Sequence, residues 1–207
     1  MSTAKENILK KISKALSNSV PLPFANNNNN SAIFATPADE LEVLFATEFT
    51  ALQGKFVYCE NDNSAIEQIH ELIAAKDWTK VFCNSQKWNT HFSNTIALAS
   101  CDVSITSCES LVARTGSMVL SAAEMDGRTA SVYAPVHICI AYTSQLVFDV
   151  KDALTFITKK YGGNLPSFIS FATGPSRTAD IEKTLVTGVH GPKEVFVFLI
   201  EAGQNAS

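Results

Sequence analysis

From residue 36 onward, apolar positions at helical spacing alternate with short continuous apolar runs. Leu41, Leu44, Phe45, Phe49 and Leu52 form one helical stripe behind Thr36-Pro37, where a threonine cap and a first-turn proline start a helix that Gly54 ends. Residues 55–60 predict a strand. Asp62-Asn63-Ser64 then cap a second helix bearing Ile66, Ile69, Leu72 and Ile73, and residues 80–84 predict the next strand. Residues 85–101, around Trp88, His91 and Phe92, show no clear period. A strand follows over 102–106, and Thr106 and Glu109 have the spacing of a capping box that opens a short helix. Met118-Val119-Leu120, the turn Asp126-Gly127-Arg128 and Ala130-Ser131-Val132-Tyr133 predict an antiparallel hairpin, with a further strand through Ile138-Cys139-Ile140. Asp149 starts a helix carrying Leu154, Ile157 and Tyr161, ended by Gly162-Gly163. The last stretch reads as strand (168–172), turn, helix bearing Ile181 and Leu185, turn (188–192) and strand (195–200). Strands alternating with crossover helices predict an α/β fold around a parallel sheet. No internal repeat is evident.

Two parts are expected: an N-terminal arm over 1–35 and a domain over 36–207. In the arm, Ile8, Leu9, Ile12 and Leu16 share one face of an amphipathic helix over 3–16. Val20-Pro21-Leu22-Pro23 and the asparagine tract 26–30 then read as a mobile linker. Such a helix either folds back on its own core or packs on a partner.

Charge narrows the functions. A net charge of −4 argues against nucleic acid or an anionic membrane surface as partner. Charged residues make up 17% of the chain, against roughly 25% in an ordinary domain. That low fraction leaves room for a surface covered by another chain, a homo-oligomer included. No apolar run approaches the roughly 20 residues of a membrane span. The first seven residues lack the apolar core of a signal peptide, so a cytoplasmic protein is expected. Cys59, Cys83, Cys101, Cys108 and Cys139 contain no C-x-x-C pair. They predict reduced core side chains, with no metal site and no cofactor in this chain.

The candidate chemistry lies mainly in two motifs. In Gly174-Pro175-Ser176-Arg177-Thr178-Ala179-Asp180-Ile181-Glu182, Ser176 or Thr178 caps the expected helix. The free N–H groups of its first turn and the Arg177 guanidinium suit a small anion. The alternative is that Ser176 only caps and Arg177 pairs with Asp180 or Glu182. In Gly188-Val189-His190-Gly191-Pro192, Gly188 reads as a helix C-cap, and His190 is held where it can donate to a substrate oxygen or transfer a proton, unless its ring is tied to backbone. His137 is either a second proton-transfer group or a satisfied core histidine. Glu109 is explained by capping, and Thr115-Gly116 can present N–H groups to a ligand. Gly174, Ser176, Arg177, Thr178, Asp180, His190, Gly191, Thr115 and Gly116 are therefore the candidate ligand residues, with His190, His137 and Glu109 the candidate catalytic groups. No phosphate-binding P-loop, dinucleotide fingerprint or nucleophile elbow is present.

Pro135-Val136-His137-Ile138, the Gly174-to-Glu182 motif and Gly188-to-Pro192 together resemble the LUD domain of the lactate utilization protein C family, most clearly over 107–201. The resemblance implies a Rossmann-like sheet of the sugar-phosphate isomerase and CoA-transferase-like group. It also implies a part in oxidising L-lactate to pyruvate, as the cluster-free member of a three-protein system whose partner subunits carry the iron–sulfur clusters. One position departs from the family pattern. Before Thr115-Gly116 the family usually has a glutamate, and here Arg114 stands, which weakens any claim of independent catalysis.

Three functions are therefore weighed. The first is an accessory or regulatory subunit of lactate oxidation that binds a small anion at the 174–192 face. The second is a free-standing enzyme for a phosphorylated or CoA-linked acid, with Arg177 on the anion and His137 or His190 moving the proton. In the third, the N-terminal helix docks on a partner and the domain is scaffold.

Overall fold

The computed structural model describes residues 10, 40–83, 85–92, 96–123, 129–181 and 184–203. By its contacts the chain divides into Met1–Thr36 and Pro37–Ser207. In the first unit only Lys10, which is helical, is described. The rest of the expected arm and linker, and the Thr36-Pro37 helix start, lie outside the described residues.

Helix α1 (Leu41–Ala51) leads into β1 (Lys55–Cys59), α2 (Asp62–Ala75), β2 (Val81–Cys83), the short α3 (Asn89–Phe92) and β3 (Val103–Thr106). Strands β4 (Ser110–Val112) and β5 (Ser117–Ser121), helix α4 (Ala130–Tyr133), β6 (Val136–Tyr142), β7 (Leu146–Val147) and α5 (Val150–Tyr161) follow. The chain then forms β8 (Ile169–Ala172), β9 (Arg177–Ile181), β10 (Thr184–Thr187) and β11 (Glu194–Ile200). Five strands make a parallel sheet in the order β1-β11-β6-β3-β2.

Its central strands are buried on both faces, which explains their continuous apolar runs. Phe196, Phe198 and Ile200 of β11, with Val136, Ile138 and Ile140 of β6, meet Ala65 and Ile69 of α2. The alternate residues Val195, Val197, Leu199, Cys139 and Ala141 meet Phe45 and Phe49 of α1 and Leu111 and Met118 of a second sheet. Burying each of these large side chains contributes about 1.5–3 kcal/mol, and Phe198→Ala would cost about 3–5 kcal/mol.

The second sheet has the order β7-β4-β5-β8. Ala153 and Ile157 of α5 pack on its Val112 and Val119. Helix α5 starts at the Asp149 capping box and stops where Gly162 turns left-handed, φ 56°. Asn61, one residue ahead of the expected cap, accepts from Ser64 N at 3.0 Å to start α2. None of the five cysteines forms a disulfide, and all are buried. Burial pushes the Cys59 thiol up to about 11. Among the described residues no helix is long and apolar enough to cross a membrane.

Three local expectations are corrected. Residues 106–109 do not open a helix. The chain runs extended into β4 because Glu109 turns its carboxylate inward instead of back to a cap. The 117–133 hairpin is replaced: β5 pairs with β4 and β8, while 130–133 form the single turn α4. The segment 177–187 is an antiparallel hairpin, β9–β10, and not a helix. Its Thr178, Ile181, Thr184, Val186 and Thr187 are β-branched, which suits a pleated backbone.

Candidate functional site

Because β1, β6 and β11 are parallel and adjacent, their first residues share one edge of the sheet. The two motifs from the sequence gather there. Ser176 N donates to Pro192 O, and Gly188 N donates to Ser176 O, each at 2.9 Å. Lys193 N donates to Pro135 O at 2.7 Å. Residues 174–177, 188–193 and 135–137 are thereby one hydrogen-bonded unit. Gly191 is needed for the close approach, since a Cβ there would stand 2.9 Å from Ser176 Cβ.

A hollow of 370 Å³ opens on this unit. Val132, Tyr133 and Val189 give it an apolar wall, and His190 and Lys193 supply its polar groups. Gly188, φ 79°, lets the Lys193 stem cross it: a Cβ at that position would be 2.1 Å from Lys193 Cγ. An ammonium and an imidazole beside an apolar wall suit a short organic acid, the carboxylate on the cation and the alkyl group on the wall. The helix N-terminus that was to bind the anion does not exist, so Gly188 caps no helix and Ser176 and Thr178 cap none either.

The remaining sequence candidates are dispersed. Arg177 is exposed at the start of β9, outside the lining of the hollow, and Thr178 and Asp180 follow it in that strand. Thr115 Oγ1 shares a hydrogen bond with Ser117 Oγ, which shares another with Thr173 Oγ1, both 2.8 Å. That chain of hydroxyls brings the 115–117 turn beside Gly174. Gly174 itself, φ 83°, packs on α1's exit, where a Cβ would be 2.8 Å from Leu52 O.

His137 is 1% exposed, with Nε2 2.8 Å from Thr106 Oγ1. Burial lowers its pKa to about 4, so the imidazole is neutral and belongs to the core. His190 is exposed, so the two histidines do not share a solvent-open site. Glu109 is 1% exposed. Its carboxylate accepts from Ser121 Oγ, from Lys160 Nζ at 2.7 Å and from Tyr161 OH at 2.7 Å. Burial opposes its ionisation, but these donors outweigh it and hold the carboxyl below the usual range. Glu109 therefore ties α5 to the second sheet and caps nothing.

Sequence reasoning missed the opposite edge. After β1 the chain crosses to α2 on one face of the parallel sheet, and after β6 it crosses through Thr143–Gln145 to β7 on the other. Between these diverging connections, above the end of β11, lies a crevice of 670 Å³. Asp62 is its centre: Oδ2 takes Lys87 Nζ at 2.8 Å and Oδ1 takes Tyr142 OH at 2.8 Å. Lys87 also donates to Tyr142 OH. No spacing links residues 62, 87 and 142; only their places at strand ends could have pointed to them.

Comparison with known proteins places the fold. A family model described as the LUD domain matches residues 43–200. The chain belongs to the LUD domain family. A lactate utilization protein C of Geobacillus thermodenitrificans is 29% identical over 169 residues, 80% of this chain and 70% of that protein. One from Shouchella clausii is 38% identical over 48% of this chain and 44% of its own length. An uncharacterized protein of Neisseria meningitidis is 32% identical over 55% and 46%. The chain thus spans less than half the length of the latter two relatives. The crystal structure of a DUF162 family protein from Deinococcus radiodurans superposes with a TM-score of 0.60 at 16% identity. That match covers 79% of this chain and 99% of that one, and it shows the α/β fold alone.

In this LUD domain, Arg114 takes up a structural partner. Its Nε and Nη2 bond Asp149 Oδ2 and Oδ1, each at 2.9 Å. The hydrogen bond from Arg114 holds the Asp149 carboxyl below the usual range. Residue 114 is therefore a strut to the start of α5.

Proposed function

We propose that this protein is a cytoplasmic accessory or regulatory subunit of an iron–sulfur system that oxidises L-lactate to pyruvate. The observation that carries this reading is the likeness, over 80% of the chain, to a relative named lactate utilization protein C. All five cysteine thiols are buried, which supports a reading in which the clusters belong to partner subunits. The finer fold assignment, to the sugar-phosphate isomerase and CoA-transferase-like group, belongs to the same proposal.

The small anion sits in the hollow at the amino edge. Lys193 pairs with its carboxylate, His190 donates to the neighbouring oxygen, and Val132 and Val189 cover its methyl group. Affinity capture with the iron–sulfur partners, and growth on lactate after deletion, test the subunit role. Normal growth without the gene would overturn it.

A second reading, a free-standing enzyme acting on a phosphorylated or CoA-linked acid, draws on the exposure of His190 in the hollow. With His137 in the core, His190 is its proton-transfer group, and Arg177 would hold the anion from outside the hollow. Turnover by purified protein, abolished in His190→Ala, supports this version. Lack of turnover across such acids counts against it.

A further inference from the structure

The crevice at the carboxyl edge has no part in the anion reading. Its position is where open α/β sheets hold ligands, at the point where the connections of neighbouring strands turn to opposite faces. Its charge is of the wrong sign for an organic acid. Glu60, Asp62 and Glu201 contribute three carboxylates against the one ammonium of Lys87, a formal excess of two negative charges. Tyr58, whose pKa is raised by desolvation and by the nearby Glu201 carboxylate, stays neutral and leaves that excess unchanged.

The hydrogen-bonding capacity left over is specific. Lys87 has three N–H protons. Asp62 and Tyr142 take two, and the ammonium is fixed over the rings of Trp88 and Tyr142, 4.8 Å and 4.5 Å from their centroids. One proton is left for a ligand. Each Asp62 oxygen accepts one bond from this cluster and keeps a second lone pair. Burial opposes ionisation of Asp62, but the bonds from Lys87 and Tyr142 hold it below the usual carboxylate range. Ser144 adds a hydroxyl on the rim. A fixed donor beside ionised acceptors matches adjacent hydroxyl groups, each of which donates one bond and accepts another.

We propose that this crevice binds an uncharged, hydroxyl-rich ligand, at a site separate from the anion hollow. A free sugar and the ribosyl end of a nucleoside share that chemistry. Phosphate esters and carboxylates do not, because they bring charge into an already negative cleft.

Amide chemical shifts of the ¹⁵N-labelled full-length protein test this with D-ribose, adenosine, D-ribose 5-phosphate and lactate. Ribose or adenosine is expected to shift the amides of 60–63, 143–144 and 201–203 saturably. Ribose 5-phosphate and lactate should leave those amides in place. Equal affinity for ribose and adenosine identifies the sugar as ligand, and at least tenfold tighter adenosine identifies a nucleoside. Asp62→Asn and Ser144→Ala should each leave the remaining spectrum unchanged. Asp62→Asn should weaken the neutral probes at least tenfold, and Ser144→Ala more mildly. Absence of saturable shifts with both neutral probes, or equal shifts with ribose 5-phosphate, would overturn the proposal.

Discussion

Gly116 presses its bare α-carbon against the backbone of Phe49: a Cβ built there would stand 2.5 Å from Phe49 N. With φ at 59°, the turn between β4 and β5 needs glycine twice over, for its conformation and for the approach of α1. By sequence the Thr115-Gly116 pair can present N–H groups to a ligand. Its immediate use is to seat α1 on the second sheet.

Gly116→Ala should therefore cost about 2–4 kcal/mol, combining left-handed strain with overpacking. Gly162→Ala is the control. It shares the positive φ but has nothing within 4 Å, and should cost only about 1 kcal/mol. Urea unfolding of the two variants checks the difference. Equal losses would show that the contact with α1 contributes nothing.

The Arg114–Asp149 pair sits between a half-exposed guanidinium and a buried carboxylate. Arg114→Glu places two carboxylates together at the start of α5. We expect a loss of about 1–3 kcal/mol, between the values for exposed and buried pairs. Asp149→Asn in the same background should recover part of it. Thermal melts of the single and double variants measure the coupling.

His137 makes stability fall with acid. Its folded pKa is about 4, below the ordinary 6.5, so the unfolded chain takes up its proton first. The contribution is fully present above pH 6.5 and is lost as pH falls toward 4. Between pH 7.5 and pH 4.5 this one residue should remove on the order of 2–3 kcal/mol. His137→Gln, which can keep a bond to Thr106, should flatten that part of the slope in denaturant titrations at the two pH values. An unchanged slope would mean that the imidazole gains a proton without penalty.

Lys193 is expected to carry the anion affinity of the hollow. Lys193→Met keeps a flexible stem over Gly188 while removing the charge. Binding of lactate and pyruvate, measured calorimetrically, should weaken about 10- to 100-fold, the range of one charge-assisted hydrogen bond. The melting temperature should move by no more than about 1 °C, as for a surface change. Full retention of affinity would remove Lys193 from the site.

Much of the parallel sheet was legible because its signals are local. The continuous runs 136–142 and 195–200 are buried on both faces, and the stripe Phe45, Phe49 has the period of a helix lying on them. The Asp149 cap and Gly162 stop bound α5 by short-range chemistry alone. The site was legible only as a set of motifs. The Gly174-to-Glu182 motif reads as a helix start but forms a turn and a strand, because a Ser-x-Thr-x-Asp pattern suits either. The bonds from Ser176 to Gly188 and Pro192, which hold the hairpin ends together, join residues more than ten apart.

The sequence by itself determined the alternation of strands and helices, the placing of all five cysteines in the core, and the family to which the motifs belong. Each follows from chemistry within a few residues of chain. Only the tertiary structure decided that these motifs meet at the amino edge of the sheet, that His137 is sealed while His190 is open, and that Asp62, Lys87 and Tyr142 close on one another at the carboxyl edge. The reason is physical. Strand order and the face to which each connection turns are set by burial of the whole sheet, and no local pattern encodes them.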